Sequence, residues 1–313
     1  MMNSSAEAFA PATMANLGVG FDILGLALHE PGDIVRAELS DVPGVQISDI
    51  EGDGGQLTRD PEKNTAGIAA ASTLRLLGTS HGVRLIIRKN LPLASGMGSS
   101  SASAVAAAVA VNALFDSPLS LKELLSPSLD GEAAVSGRHA DNVAPCLFGG
   151  ITLVTGIDAD QIRTLPTPSS IYLALVTPDV AVPTVMARAV LPATIPLKTM
   201  VLQTAYVARL VDAIYRDDLV AMAQAMEGDQ VVEPARAHLM PLLFEMRQIA
   251  HDAGALGLVI SGAGPTLCAI CNDKKIAEKV ASAMQAGYDA ANIKSVTRCT
   301  GISARGAQVL KVN

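Results

Sequence analysis

The chain has 313 residues, half of them hydrophobic and only 17% charged, a length that favours two domains of roughly 100 to 200 residues each. Trp is absent and aromatics make up 3%, so the cores must be built from Ala, Val, Leu and Ile. A net charge of −7 with no Lys/Arg cluster argues against nucleic-acid binding, and an anionic ligand would need a local device such as a helix N-terminus.

Residues 6–40 read as a strand, a Gly-containing loop, an apolar segment, a turn at Pro31-Gly32 and a strand from Ile34 to Leu39. The strand "GVQISDI" follows as part of a meander. Residues 64–77, "NTAGIAAASTLRLL", have helical spacing with Asn64 or Thr65 as N-cap, and "GVRLIIRKNLP" is an alternating strand ending at Pro92. A glycine-serine loop then opens a helix from about Ser101 to Leu114; Asn112 and Asp116 cut it short of the ~20 apolar residues that a membrane span needs. A second helix through "SLKELLSPSL" breaks at Pro127 and a third begins near Gly131. Strands at 149–155 and 171–178 flank "RTLPTPSS", which marks a domain boundary and divides the chain into 1–165 and 166–313. Beyond it come helices at about 198–227 and 235–253, a strand at 256–261, a glycine loop, a strand at 266–271, a helix at 274–286 and a last strand near 293–300. Helices packed on a mostly antiparallel sheet in both halves give an α+β class.

The N-terminus "MMNSSAEAFAPAT" has neither a basic flank nor an apolar core, so no secretory signal is read there. The four cysteines are Cys146, Cys268, Cys271 and Cys299, and so few suit a reducing cytoplasm. Cys268 and Cys271, three apart in an apolar strand, would point to opposite faces, which argues against a metal or redox pair.

"PLASGMGSSS" between a strand and a helix aims free backbone N–H groups and the positive helix end at one point, where an anion fits. Gly96 and Gly98 permit positive φ and close backbone approach, while Ser99, Ser100 and Ser101 offer hydroxyls to phosphate or Mg²⁺. The stretch is neither a Walker A loop, which demands a lysine, nor a dinucleotide G-x-G-x-x-G, since position 101 is serine. A plain helix-capping turn would use the same residues.

Three ordered stretches decide between these readings. "LPLASGMGSSSASA" resembles the phosphate loop of the GHMP kinases, "APATMANLGVGFDILGLAL" resembles their N-terminal substrate motif, and "VISGAGPTLCAI" resembles their C-terminal glycine motif. "ANLGVGFD", "GRHADNVAP", "TVMARAVLP" and "VVEPARAHLMP" are most similar to the homoserine kinase branch. The resemblance implies a two-domain fold with nucleotide bound by the N-terminal unit, ATP as co-substrate, Mg²⁺, and L-homoserine as the small-molecule partner. It implies neither nucleic acid nor membrane as a partner, and it leaves room for a homodimer.

It further implies that Pro92, Leu93, Ala94, Ser95, Gly96, Met97, Gly98, Ser99, Ser100 and Ser101 hold the triphosphate, with Asn64 at the adenine. Arg188 and Arg236 would clamp the substrate carboxylate, a task that suits guanidinium forks. Asn16 and Asp22 would contact the substrate, Asp22 as ammonium partner. Glu132 and Ser100 would bind Mg²⁺, and Gly262, Ala263 and Gly264 would pack beside the phosphate loop. Asn142 stands where galactokinase and mevalonate kinase place an aspartate; an amide takes no proton, and phosphoryl transfer depends mainly on positioning and charge, so the hydroxyl proton could pass directly to the phosphate. Asp141 and His139 are neighbouring candidates for a base, although His139 reads better as an orienting group. The alternatives are a GHMP kinase for a mevalonate-like acid and a non-catalytic regulatory member of the fold.

Overall fold

The computed structural model describes residues 3–313. At its centre β1 (Ser5–Ala15) runs antiparallel to β2 (Leu24–Ser40). The expected turn at Pro31-Gly32 is instead a bulge inside one long strand: Pro11 faces Gly32, whereas Thr13 faces Ala27. Proline cannot donate to a ladder, and a bulge tolerates that gap. β4 (Gly82–Arg88) pairs antiparallel with β2, but β3 (Val45–Glu51) runs parallel to β4. The expected meander is therefore a crossover through α1 (Thr65–Leu77), as a parallel pair requires. β5 (Ile151–Val154) pairs with β2 and β6 (Ile162–Leu165) with β5, so ladder occupies part of the expected linker.

The second sheet has the order β10 (Ser295–Thr300), β7 (Tyr172–Pro178), β9 (Leu267–Cys271), β8 (Gly257–Ile260), antiparallel throughout. The α+β expectation stands, but the chain then returns to the first sheet. Leu28 bridges Ile302, Ser303 N donates to Ala27 O at 2.9 Å, and β11 (Gln308–Val312) pairs with β1. The segment 166–313 thus gives its last strand to the other sheet, covering an edge of β1 that would otherwise leave its backbone unpaired.

α2 (Ser99–Leu114) runs through the middle of the larger core, and every residue of it except Ser100 is buried. Its small side chains let α1, β1, β2 and α3 (Leu121–Ala133) approach from several sides. Helix α3 continues through Pro127 instead of ending there. Its Ser120–Glu123 capping box and the burial of Leu124, Leu125 and Leu129, each worth ~1.5–3 kcal/mol, outweigh a proline penalty of about 3 kcal/mol. No helix begins at Gly131; the next is α4 (Ala140–Phe148).

Downstream come α5 (Thr184–Ala189), α6 (Leu197–Tyr215), α7 (Leu219–Met226), α8 (Val232–Arg236), α9 (Leu243–Ala253) and α10 (Lys274–Ala290). The two long helices expected at 198–227 and 235–253 are each broken. Arg216 is the C-cap of α6, and Asp218 caps the next helix by accepting from Ala221 N at 2.9 Å; a 3-10 turn with Pro241 beyond it separates α8 from α9. Among the described residues no helix is long and apolar enough to cross a membrane.

A buried ion pair fastens α2 to the sheet. Lys89, just beyond β4, pairs with Asp33 on β2; the two side chains are 1% and 0% exposed. Lys89 Nζ also donates to Ser99 O and Ser103 Oγ, both at 2.8 Å, and Asp33 accepts from Asn90 N at 3.0 Å. Removing one partner of such a pair strands the other charge. Lys89→Met is therefore expected to cost about 3–5 kcal/mol, read as a lowered urea midpoint, and adding Asp33→Leu should recover most of it.

Candidate active site

The phosphate-loop residues lie between β4 and α2, and their carbonyls are tied outward. Val182 N donates to Ala94 O at 3.4 Å, Thr266 N to Ser95 O at 3.2 Å, Ser261 Oγ to Gly96 O at 2.8 Å, and Thr13 N to Met97 O at 3.1 Å. Among the described residues, no backbone N–H from Leu93 to Ser101 donates to another protein group. A row of unused donors thus meets the N-terminus of α2, whose first turn adds its own orphan amides and the positive end of the helix dipole. Gly98 caps that helix at φ 64°, and a side chain there would overlap the Thr13 hydroxyl. Gly96, at φ 78°, lies against Ser261 and Gly264, so the turn of Gly262, Ala263 and Gly264 does pack beside the loop.

A cavity of about 350 Å³ opens over this loop. Its wall includes Asn16, Asp22, Asn64, Leu93, Ala94, Ser95, Gly96, Gly98, Ser99, Ser100, Glu132, His139, Asn142, Arg188, Arg236, Gly262 and Ala263. Pro92, Met97, Ser101 and Gly264 are not on that wall: the Pro92 carbonyl takes the Ser95 hydroxyl, Met97 is fully buried, and Ser101 faces Glu132. Asn64 is the N-cap of α1; its amide accepts from Ala66 N at 3.0 Å and donates to Thr58 O at 2.9 Å, so capping already occupies most of it.

At one end of the cavity two side chains converge on the carbonyl of Gly262. Asn16 Nδ2 donates to it at 2.9 Å and Arg236 Nη1 at 3.0 Å, while Arg236 Nε donates to Ala187 O at 3.0 Å. The guanidinium groups of Arg188 and Arg236 lie 5.4 and 5.3 Å from the centre of the Phe21 ring, a contact that favours cations. Burial, and next the Arg188 charge, lower Arg236 to about 10, which still leaves it protonated at neutral pH. Arg188 is already engaged: it grips Asp22 with a two-pronged contact of 2.7 and 3.0 Å. His139 Nδ1 stands 3.6 Å from the same carboxylate. Asp22 and Arg188 therefore meet one another, where separate contacts to substrate were expected.

At the other end Glu132 on α3 is buried and accepts from Ser101 Oγ at 2.8 Å and from Ser136 Oγ. Ser100 lines the cavity, while the unpartnered buried hydroxyl is that of its neighbour Ser99. Asn142 Oδ1 accepts from Thr13 Oγ1 at 2.7 Å, which leaves its Nδ2 group as the donor available to a ligand. Asp141, preceding it, is buried on the same wall, and burial followed by the charges of Asp22 and Glu132 raises its carboxyl to about 7.

Sequence reasoning missed Lys89, Thr13 and Phe21. A charged residue ending the apolar run "VRLIIRK" was the available signal for Lys89; the other two lay unremarked inside the N-terminal motif.

Family models agree with this geometry: the GHMP kinases N terminal domain matches residues 64–150, and the GHMP kinases C terminal domain matches 210–290. The homoserine kinase of Chlorobaculum tepidum is 40% identical, with 96% of this chain and 97% of that one covered. That of Arabidopsis thaliana is 41% identical over 98% of this chain and 85% of its own. The crystal structure of homoserine kinase from Cytophaga hutchinsonii superposes with a TM-score of 0.94 at 41% identity, covering 99% of this chain and 98% of that one. Lactococcus lactis galactokinase complexed with galactose, at 14% identity and a TM-score of 0.68, shares the fold. With a cradle of unused amides, a guanidinium pair over an aromatic ring and full-length similarity of this kind, the chain belongs to the GHMP kinases, in the branch of the homoserine kinases.

Proposed function

We propose that this protein transfers the γ-phosphoryl group of ATP to the side-chain hydroxyl of L-homoserine, giving O-phospho-L-homoserine on the route to threonine. The observation that carries the reading is that one cavity joins the free amides of Leu93–Ser101 to the Arg188–Arg236 end. The amides suit a triphosphate and the guanidinium end suits an amino-acid carboxylate. The substrate oxygen forms its bond to the γ-phosphorus as the bond to the β-bridging oxygen breaks. Asn142, its carbonyl held by Thr13, presents Nδ2 to the alcohol or the transferring group. The proton passes to a phosphate oxygen, since a loose transition state requires no early base. His139 and Asn16 orient the substrate end.

The residues fit a hard divalent ion. Glu132 is a buried carboxylate with no cationic side chain in salt-bridge contact among the described residues; Ser101 Oγ donates to it at 2.8 Å, and Ser99 and Ser100, on the first turn of α2, line the same cavity. No cluster of three or more His, Cys, Asp or Glu is found among the described residues; Mg²⁺ held by one carboxylate, phosphates and water needs none. We assign Glu132 and Ser100 as its protein ligands. An ion held there would supply positive charge to offset the charge of the nucleotide's phosphates.

Release of ADP, measured with homoserine, mevalonate, galactose and shikimate in turn, is expected to exceed the no-acceptor blank for homoserine alone. A rate equal to the blank for all four would instead favour a regulatory member of the fold. Gly98→Ala forces a side chain onto Thr13 at a left-handed backbone position, so kcat/KM for ATP should fall at least about 100-fold. Glu132→Gln should raise the Mg²⁺ concentration for half-maximal rate at least about tenfold, as followed by a Mg²⁺ titration at saturating ATP.

A further inference from the structure

Arg236 is carried by α8, a helix of five residues that buries three side chains: Val232, Glu233 and Arg236 itself. Only one of the three is apolar, so hydrophobic packing does little to fix where this helix lies. Its neighbour α9 is anchored differently, since Leu243, Met246, Ala250 and Ala253 bury an apolar face in the second core. Arg247 reaches from that anchored helix to α8, where its Nη2 donates to Glu233 Oε2 at 2.6 Å. The same guanidinium donates from Nε and Nη2 to the carbonyl of Leu258, at 3.2 and 3.0 Å, on β8, the edge strand of its sheet. Glu227 accepts from Leu258 N at 2.7 Å and lies 3.3 Å from Arg247 Nε, so both backbone groups of Leu258 are taken up by this cluster. Glu233 is buried, and Arg247 is the one cation in contact with it among the described residues. Burial pushes its carboxyl up and the Arg247 contact opposes the shift. Without Arg247 a buried acid would remain beside Asp229 and Glu227 with no cation to hold it.

Arg236, one turn further along α8 than Glu233, donates to Gly262 O, in the turn that follows β8. Helix α8 and this edge segment are thus tied twice, by Arg247 at one end and by Arg236 at the other. We propose that Arg247, which is not on the cavity wall, is a positioning residue for the reaction: it holds α8 against β8 and so keeps the Arg236 guanidinium at the cavity. The inference rests on the homoserine reading above, in which Arg236 takes the substrate carboxylate. Arg247 touches neither substrate nor nucleotide, and its influence passes through Arg236. A carboxylate contact made equally by bound substrate and transition state sets KM and leaves kcat, so the loss on removing Arg247 is confined to KM for the alcohol.

The test is a double-mutant cycle read with L-homoserine and with 3-aminopropan-1-ol, the same amino alcohol without the carboxylate, the latter scored as kcat/KM or, if turnover is undetectable, as Ki against homoserine. Arg236→Met is expected to raise the homoserine KM at least about tenfold, the size of a charge-assisted contact, and Arg247→Met at least about fivefold. For Arg247→Met, KM for ATP and the value for 3-aminopropan-1-ol should stay within about twofold of wild type. Because Arg247 acts through Arg236, the double variant should match Arg236→Met within about twofold, whereas an independent structural effect would multiply. A smaller rise for either single variant, a larger change with 3-aminopropan-1-ol or ATP, or a larger added factor in the double variant would each overturn the proposal. Glu233→Leu cuts the same tie from the α8 side without stranding a carboxylate, and it replaces Arg247→Met under the same criteria if thermal unfolding shows that variant to be unfolded. Failure of the wild type to phosphorylate homoserine at all would refute the functional reading itself, a separate result.

Discussion

The carbonyl oxygens of Ala94, Ser95, Gly96 and Met97 are bonded away from the cavity, to Val182, Thr266, Ser261 and Thr13. A peptide plane fixed by its oxygen has its N–H fixed as well, so these four contacts aim the loop's donors inward. The partners come from β1, from the segment before α5 and from the turn beside β9, so the cradle exists only when both sheets are folded and docked. Donors preorganised in this way undergo little rearrangement when charge develops on a transferring phosphoryl group.

The alanine-rich composition of α2 follows from the same requirement. A helix that must present its N-terminus to a ligand inside the protein has to be packed around its whole circumference, and Ala and Val allow helices and strands to approach closely. Little polar anchoring is available along such a helix, and the Asp33–Lys89 pair provides it at the first turn through Ser99 O and Ser103 Oγ. That pair is costly to bury, and its geometric effect is to fix where α2 begins relative to β2 and β4.

Charge pairing organises the far end of the cavity. Two arginines lie against the ring of Phe21, and their mutual repulsion is relieved because Asp22 closes on Arg188 while backbone carbonyls satisfy Arg236. The two guanidinium groups therefore differ in what they can still bind, although their local sequence contexts look alike.

Much of this molecule was legible in its sequence. The α+β class, most of the strands and helices, and the glycine-serine loop ahead of a buried helix follow from local patterns whose physics acts over a few residues: apolar periodicity, capping and the backbone freedom of glycine; most of the residues on the cavity wall came instead from the resemblance to the GHMP kinases. Helix α3 running through Pro127, the bulge at Pro31, the parallel β3–β4 pair and the return of β11 to the first sheet did not follow, because in each case packing or pairing with distant residues overrides a local signal. The site divides in the same way. Arg188, Asp22, Glu132 and Asn142 were nameable one by one through motifs that resemble those of the family, but that Arg188 grips Asp22, that Glu132 meets Ser101, and that Thr13 fixes Asn142 are contacts across 166, 31 and 129 positions, and only the tertiary structure brings such groups within reach of one another.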